Sequence, residues 1–239
     1  MAEQTTVDLD ELETAVPFGT VAIMFLSVLF GVLLAVVLVP AWAPDLAATL
    51  FGDAPKAYWY LSRASGLTAY GLMWLSMALG ISISNKLARL WPGGPLAFEL
   101  HQYLSLLGLN LALFHALILL GDRYIQYSLS QVLVPFQSTA YEPLWVGLGQ
   151  LAFYALIVIS LSFYVRKRIG HKLWRWLHFL TFGAFAMALL HGITSGSDSS
   201  SLLVQAAYVA SGASLLFLSI YRVVGAIFPV QTSKRSARG

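Results

Sequence analysis

The stretch FELHQYLSLLGLNLALFHALILL, Phe98–Leu120, decides the fold. It carries one charged residue, Glu99 at its edge, and no proline. At about 1.5 Å per residue a helix of this length crosses a hydrocarbon core of about 30 Å. Inside it stand two histidines, His101 and His115. An ionisable side chain within a span is costly and is by default a functional candidate.

Five further stretches have the same character: Phe18–Val39, Tyr58–Ile83, Leu144–Val165, Leu173–Ile193 and Leu202–Ile227. Proline and glycine punctuate the connections at Pro40, Pro44 and Pro55 and at Pro92, Gly93, Gly94 and Pro95. The whole chain is 58% hydrophobic and only 10% charged, against about 25% charged in a soluble domain. With a mean hydropathy of +0.74 it has too little polar surface for water, so the bilayer is its solvent. The expected fold is an all-α integral membrane protein, a six-helix bundle forming one domain over residues 1–239. No internal repeat and no soluble domain boundary stands out. An acidic tail (1–17) and a basic tail (228–239) flank the bundle. The acidic tail lacks the basic region of a secretory signal, so the first apolar run is expected to remain as a helix.

Orientation follows from the basic residues. Lys86, Arg89, Arg166, Lys167, Arg168, Lys172, Arg175, Arg222, Lys234, Arg235 and Arg238 share one side; Lys56, Arg63 and Arg123 share the other. Eleven against three places both termini in the cytoplasm. The connection Gly121–Pro143 then lies outside, where it reads as an interfacial lid or an ordinary amphipathic loop.

The chain has no cysteine, which excludes disulfides, thiolate metal sites and covalently attached c-type haem. It has five histidines: His101 and His115 on the third helix, His178 and His191 on the fifth, and His171 in the basic connection. The third and fifth helices start on the same side and run parallel. His101 and His178 therefore fall at one depth, His115 and His191 at another, roughly 20 Å away. Two haems stacked across a membrane need such a layout. Gly108, midway between His101 and His115, is a candidate for haem packing or for helix packing. A fourteen-residue step returns within about 40° of the same helix face, whereas the thirteen-residue step from His178 to His191 misses by about 140°. The fifth helix thus does not present both rings alike by spacing alone. A dimetal site is a poorer reading, because Glu99 and Glu142 lie at helix ends.

The segments YLSRASGLTAYGLMWLSMALG (Tyr60–Gly80), HQYLSLLGLNLALFH (His101–His115) and HKLWRWLHFLTFGAFAMALLHG (His171–Gly192) resemble the ferric reductase-like transmembrane domain superfamily. That superfamily includes ferric reductases, NADPH oxidase membrane cores and the haem subunit of the methionine sulfoxide reductase system. The resemblance covers roughly Tyr58 to Ile227. It implies two haem b groups, with His101 and His178 as axial iron ligands of an inner haem and His115 and His191 of an outer one. Arg63, Arg175 and Lys172, and also Arg89, are candidate propionate partners. Phe182 or Phe185 could fill the space between the haems, although ordinary core packing explains either. No Gly-rich phosphate loop appears, so no flavin or nicotinamide domain is expected and electrons are expected from a separate flavoprotein, from quinol or from another redox subunit. The expected role is electron transfer across the cell membrane from a cytoplasmic donor to an outer acceptor. The alternatives are a cytochrome b anchor of a quinol-linked complex and, from another class, a haem-free transporter or scaffold.

Overall fold

A computed structural model describes residues 14–51, 57–122, 125–139 and 141–228. The described residues contain helices and no strand. Six helices are long and apolar enough to cross a membrane: α1 Phe18–Trp42, α2 Ala57–Ser84, α3 Gly94–Gly121, α4 Pro143–Ser162, α5 His171–Ser195 and α6 Leu202–Ile227. The acidic residues through Glu13 and the basic ones from Lys234 lie outside the described residues, as do Lys56 and Arg123.

Four of the six helices outrun the apolar stretches that predict them, α6 coincides with its stretch, and α4 stops at Ser162, short of the expected Val165. Hydropathy sees only the part in hydrocarbon, while backbone hydrogen bonding carries the helix through its polar ends. Thus α3 begins at Gly94, with Pro95 in its first turn where no N–H is required, and α5 begins at His171. Gly170, at φ +82°, turns the chain sharply between the basic turn Arg166–Ile169 and α5. In α1 the helix widens over Leu34–Leu38 just before Pro40, which has no N–H to offer the preceding turn. The Tyr58 hydroxyl donates to Ala35 O (2.9 Å) and supplies the missing donor.

Two antiparallel hairpins, α2–α3 and α4–α5, form the centre of the bundle. α1 lies on α3, where Val16, Val21 and Leu106 make a small core with Met24, Phe25 and Tyr164. α6 lies on α2 through a polar seam: Tyr70 Oη with Ser211 Oγ (2.5 Å), Trp74 Nε1 to Ser214 Oγ (2.9 Å) and Asn85 Nδ2 to Leu218 O (3.2 Å). In lipid, association gains little from burying carbon, so hydrogen bonds of this kind carry helix–helix contact. Between the hairpins a cavity of about 1130 Å³ runs along the bundle axis.

Candidate cofactor-binding site

All four helix-borne histidines of the sequence reading face that cavity, as two couples. His101 of α3 meets His178 of α5 with ring centroids 6.0 Å apart and ring planes at 70°. His115 meets His191 at 6.0 Å and 77°. The thirteen-residue step on α5 does not prevent this, because the two α5 rings are held by different surroundings.

Three of the four rings have a fixed tautomer. His101 Nδ1 lies 2.8 Å from Ser76 O, His115 Nδ1 2.7 Å from Ser62 O, and His191 Nδ1 3.0 Å from Trp145 O. A carbonyl oxygen only accepts, so each Nδ1 carries the proton and donates. Each Nε2 then keeps a lone pair, the arrangement found in metal-ligating histidines. The hydroxyls of Ser62 and Ser76 stand beside the same rings, at 3.0 and 2.9 Å from Nδ1.

One turn beyond each carbonyl is a glycine. A Cβ on Gly66 would lie 2.7 Å from His115 Nδ1, one on Gly149 2.8 Å from His191, and one on Gly80 3.2 Å from His101. Each ring thus sits in a notch cut into the neighbouring helix, with a carbonyl at one edge and a missing side chain at the other. The notches on α2, Ser62/Gly66 and Ser76/Gly80, are fourteen residues apart, matching His101 and His115 on the antiparallel α3. This short repeat, Ser-x-x-x-Gly taken twice, is an internal repeat within α2 that did not stand out in the sequence. The signal lay in the quoted segment Tyr60–Gly80.

His178 is the exception. The same register carried along α4 calls for a carbonyl near Val158 and a glycine near Ser162, and Ser162 is a buried serine whose hydroxyl donates to Ile159 O (2.6 Å). No hydrogen bond to the His178 ring is present among the described residues. The ring instead stacks on Trp174, one turn earlier on its own helix, at 5.4 Å and 30°.

The remaining candidates divide. Arg63 lines the cavity, yet its guanidinium is engaged by Asp198: Nε donates to Oδ2 at 2.7 Å and Nη2 to Oδ1. The guanidinium expected as a candidate propionate partner thus stands in an ion pair with a carboxylate of the chain itself. Arg175 lines the opposite end of the cavity with Lys86 and Arg222, neither of which the sequence singled out for the site. Lys172 is exposed and borders a separate shallow pocket with Leu173 and Trp176. Nothing is described of the Arg89 side chain. Gly108 is buried, and a Cβ there would touch Ala69 O and Leu72 of α2 at 3.4 Å, so its missing side chain admits a helix. Phe185 belongs to a core with Met77 and Leu215 and stacks on Tyr70 (5.6 Å, 25°), while Phe182 lines the cavity. His171 is exposed beside Trp174.

Around Arg63, Tyr141 donates to Ser195 O (2.8 Å) and packs edge-on against Trp59. Burial, then the neighbouring Glu142, push the Tyr141 phenol up, so it remains a protonated donor. Arg166, one of the basic residues counted for orientation, is buried: Nη1 donates to Phe163 O (2.9 Å) and the guanidinium lies 4.0 Å over the Phe163 ring.

Comparison with curated proteins and with solved structures returns no match. A family model does match, over residues 57–198. That segment begins with the first residue of α2 and ends at Asp198, so it contains both hairpins, all four cavity histidines and both ends of the Arg63–Asp198 pair. It covers more than half of the chain, and the protein belongs to the family described as Domain of unknown function (DUF8596).

Proposed function

We propose that this protein is a dihaem b-type cytochrome of the ferric reductase-like kind, passing electrons across the cell membrane. The observation that carries this reading is the pair of matched imidazole couples, each 6.0 Å between centroids, with Nε2 free at three of the four rings. Two metal–nitrogen bonds of about 2 Å each, with about 1.1 Å from each nitrogen to its ring centre, separate two rings across one ion by about 6 Å.

Two imidazoles are too few for a bare ion, which takes four or more donors. Among the described residues no group of three or more His, Asp or Glu side chains gathers anywhere. The group that suits such a couple brings its own in-plane nitrogens, as an iron porphyrin does. A cavity of about 1130 Å³, larger than the usual site for one small ligand of about 300–1,000 Å³, leaves room at both levels. His101 and His178 would hold the inner haem, and His115 and His191 the outer. When bound, haem supplies a reversible one-electron change at iron.

The chain's own residues do the rest. The carbonyls of Ser62, Ser76 and Trp145 aim three imidazoles and raise their basicity. The apolar lining excludes water, which holds the potentials through a low dielectric. Lys86, Arg175 and Arg222 at one end offer positive charge to carboxylates of the inner group. The excess of basic residues at that end supports both termini lying in the cytoplasm. The electron donor is then a cytoplasmic flavoprotein, quinol or another subunit, and the acceptor lies outside. This makes the chain the electron-transfer component of an oxidoreductase.

The optical spectrum of the purified protein with a pyridine haemochrome assay tests the reading. The expected result is two b haems per chain with bis-imidazole spectra. A chain purified from haem-replete cells with none overturns it in favour of a haem-free transporter or scaffold.

A further inference from the structure

The connection between α3 and α4 has an unusual hydrogen-bond account. It contains one short helix, Leu129–Leu133, closed at its start by a capping box: Gln131 N donates to Ser128 Oγ (3.3 Å) and Ser128 N to Gln131 Oε1 (2.9 Å). A helix end leaves its last carbonyls without partners, and at a water-exposed loop tip water would serve them. Here α4 serves them instead. Gln150 Nε2 donates to both Gln131 O (2.8 Å) and Val132 O (2.7 Å), and the Tyr154 hydroxyl donates to Leu133 O. The Ser130 and Val134 carbonyls accept from Val134 N (2.7 Å) and Gln137 N (3.3 Å). From Ser130 to Val134, every carbonyl has a donor from the protein.

Depth gives this account its meaning. α4 is 20 residues long, about 30 Å, which is the thickness of the hydrocarbon. Gln150 and Tyr154 stand seven and eleven residues along it from Pro143, about 10 and 16 Å from its start. Gly149, next to Gln150, is the glycine that cradles His191. The short helix therefore lies at the level of the His115–His191 couple. Its outward side chains are Leu129 and Val134, 55 and 49% exposed, whereas Gln131, Val132 and Leu133 line the cavity. Backbone that is not part of a spanning helix survives at such depth only when its polar groups are met by protein. A glutamine in the middle of an apolar span likewise needs partners. Each explains the other.

We propose that Ser128–Val134 is a re-entrant segment. It enters the hydrocarbon beside α4, shows Leu129 and Val134 to lipid chains, and walls the His115–His191 level of the cavity off from water. Gln150 and Tyr154 hold it there. The inference rests on the helices spanning a membrane and not on what fills the cavity, so its failure would leave the haem assay untouched.

The absence of native cysteine makes the test clean. Full-length Val134→Cys and Ser200→Cys proteins in lipid vesicles are treated with a charged, water-soluble maleimide present on both sides of the membrane. Maleimide reacts with the thiolate, which forms in water and not in hydrocarbon. Cys at 134 should label at least tenfold more slowly than Cys at 200, and adding Gln150→Leu should raise its rate at least tenfold. Tyr154→Phe, which removes one hydroxyl, should raise it in the same direction and serves if the Gln150 variant fails to accumulate. Equal labelling at 134 and 200 would place the segment in water and overturn the proposal. A slow rate at 134 unchanged by either α4 variant would overturn the role of Gln150 and Tyr154.

Discussion

The two histidine couples have the same separation and different scaffolds. At the His115–His191 level both rings are clamped from behind, by Ser62 O with Gly66 on α2 and by Trp145 O with Gly149 on α4. At the His101–His178 level only His101 is clamped, by Ser76 O with Gly80, while His178 leans on Trp174 of its own helix. Equal spacing therefore does not mean equal preorganisation. The first level fixes both imidazoles by hydrogen bonds; the second leaves one ring oriented by stacking, which fixes the ring plane more loosely than a hydrogen bond fixes a nitrogen.

The largest expected effect tests whether the couples are independent units. On the proposed dihaem reading, His115→Ala or His191→Ala should each cut haem from about two to about one per chain and leave the inner haem, because removing one of two ligands would abolish that level alone. His101→Ala and His178→Ala should do the converse. Haem assay with spectra of each variant checks this, and equal loss of both haems from any one substitution would break the pairing.

Next in size are the notches. Gly66→Ala puts a Cβ 2.7 Å from His115 and Gly149→Ala one 2.8 Å from His191, whereas Gly80→Ala meets His101 at 3.2 Å. Overpacking of this kind costs about 1–3 kcal/mol. The first two should reduce outer-haem occupancy sharply and Gly80→Ala should leave the inner haem nearly full. Comparable losses in all three would show that the clamps are equally tight.

A smaller effect separates stacking from hydrogen bonding. Trp174→Leu should weaken inner-haem retention by about tenfold, the lower end of what loss of an outer-shell partner costs, and broaden its low-spin electron paramagnetic resonance signal. The outer signal should stay sharp. A sharp inner signal in this variant would mean that something other than Trp174 orients His178.

The smallest concerns the ion pair. Arg63 is already balanced by Asp198, so Arg63→Gln should lower the outer midpoint potential and Asp198→Asn raise it, each by on the order of a few tens of millivolts, as suits a half-exposed pair. The double variant should return close to the starting value. Redox titration decides, and an unchanged potential in both single variants would confine the pair to tying the α5–α6 connection onto α2.

Much of this architecture is legible in residues read singly. Apolar runs of about 20 residues have only one solution in lipid, because every backbone N–H and C=O must be paired within the segment, and the six helices appear where those runs are. Two histidines fourteen residues apart on α3 share a face by helix geometry, so their place in the site is also a local property. Other facts depend on which helix lies beside which. The carbonyl of Trp145 carries no trace in the sequence, since every residue has a carbonyl and only the packing of α4 on α5 brings that one to His191. Asp198 takes Arg63 from 135 residues away. Gly108, as ambiguous as any small residue on an apolar helix, faces α2 because the α2–α3 hairpin closes there. The fifth helix is the clearest case. Its thirteen-residue step predicts two rings on different faces, and both still reach partners at 6.0 Å, because a ring is placed by its contacts at the tip as much as by the azimuth of its Cα. Periodicity acts along one chain segment, and the meeting of two segments is decided only when they pack.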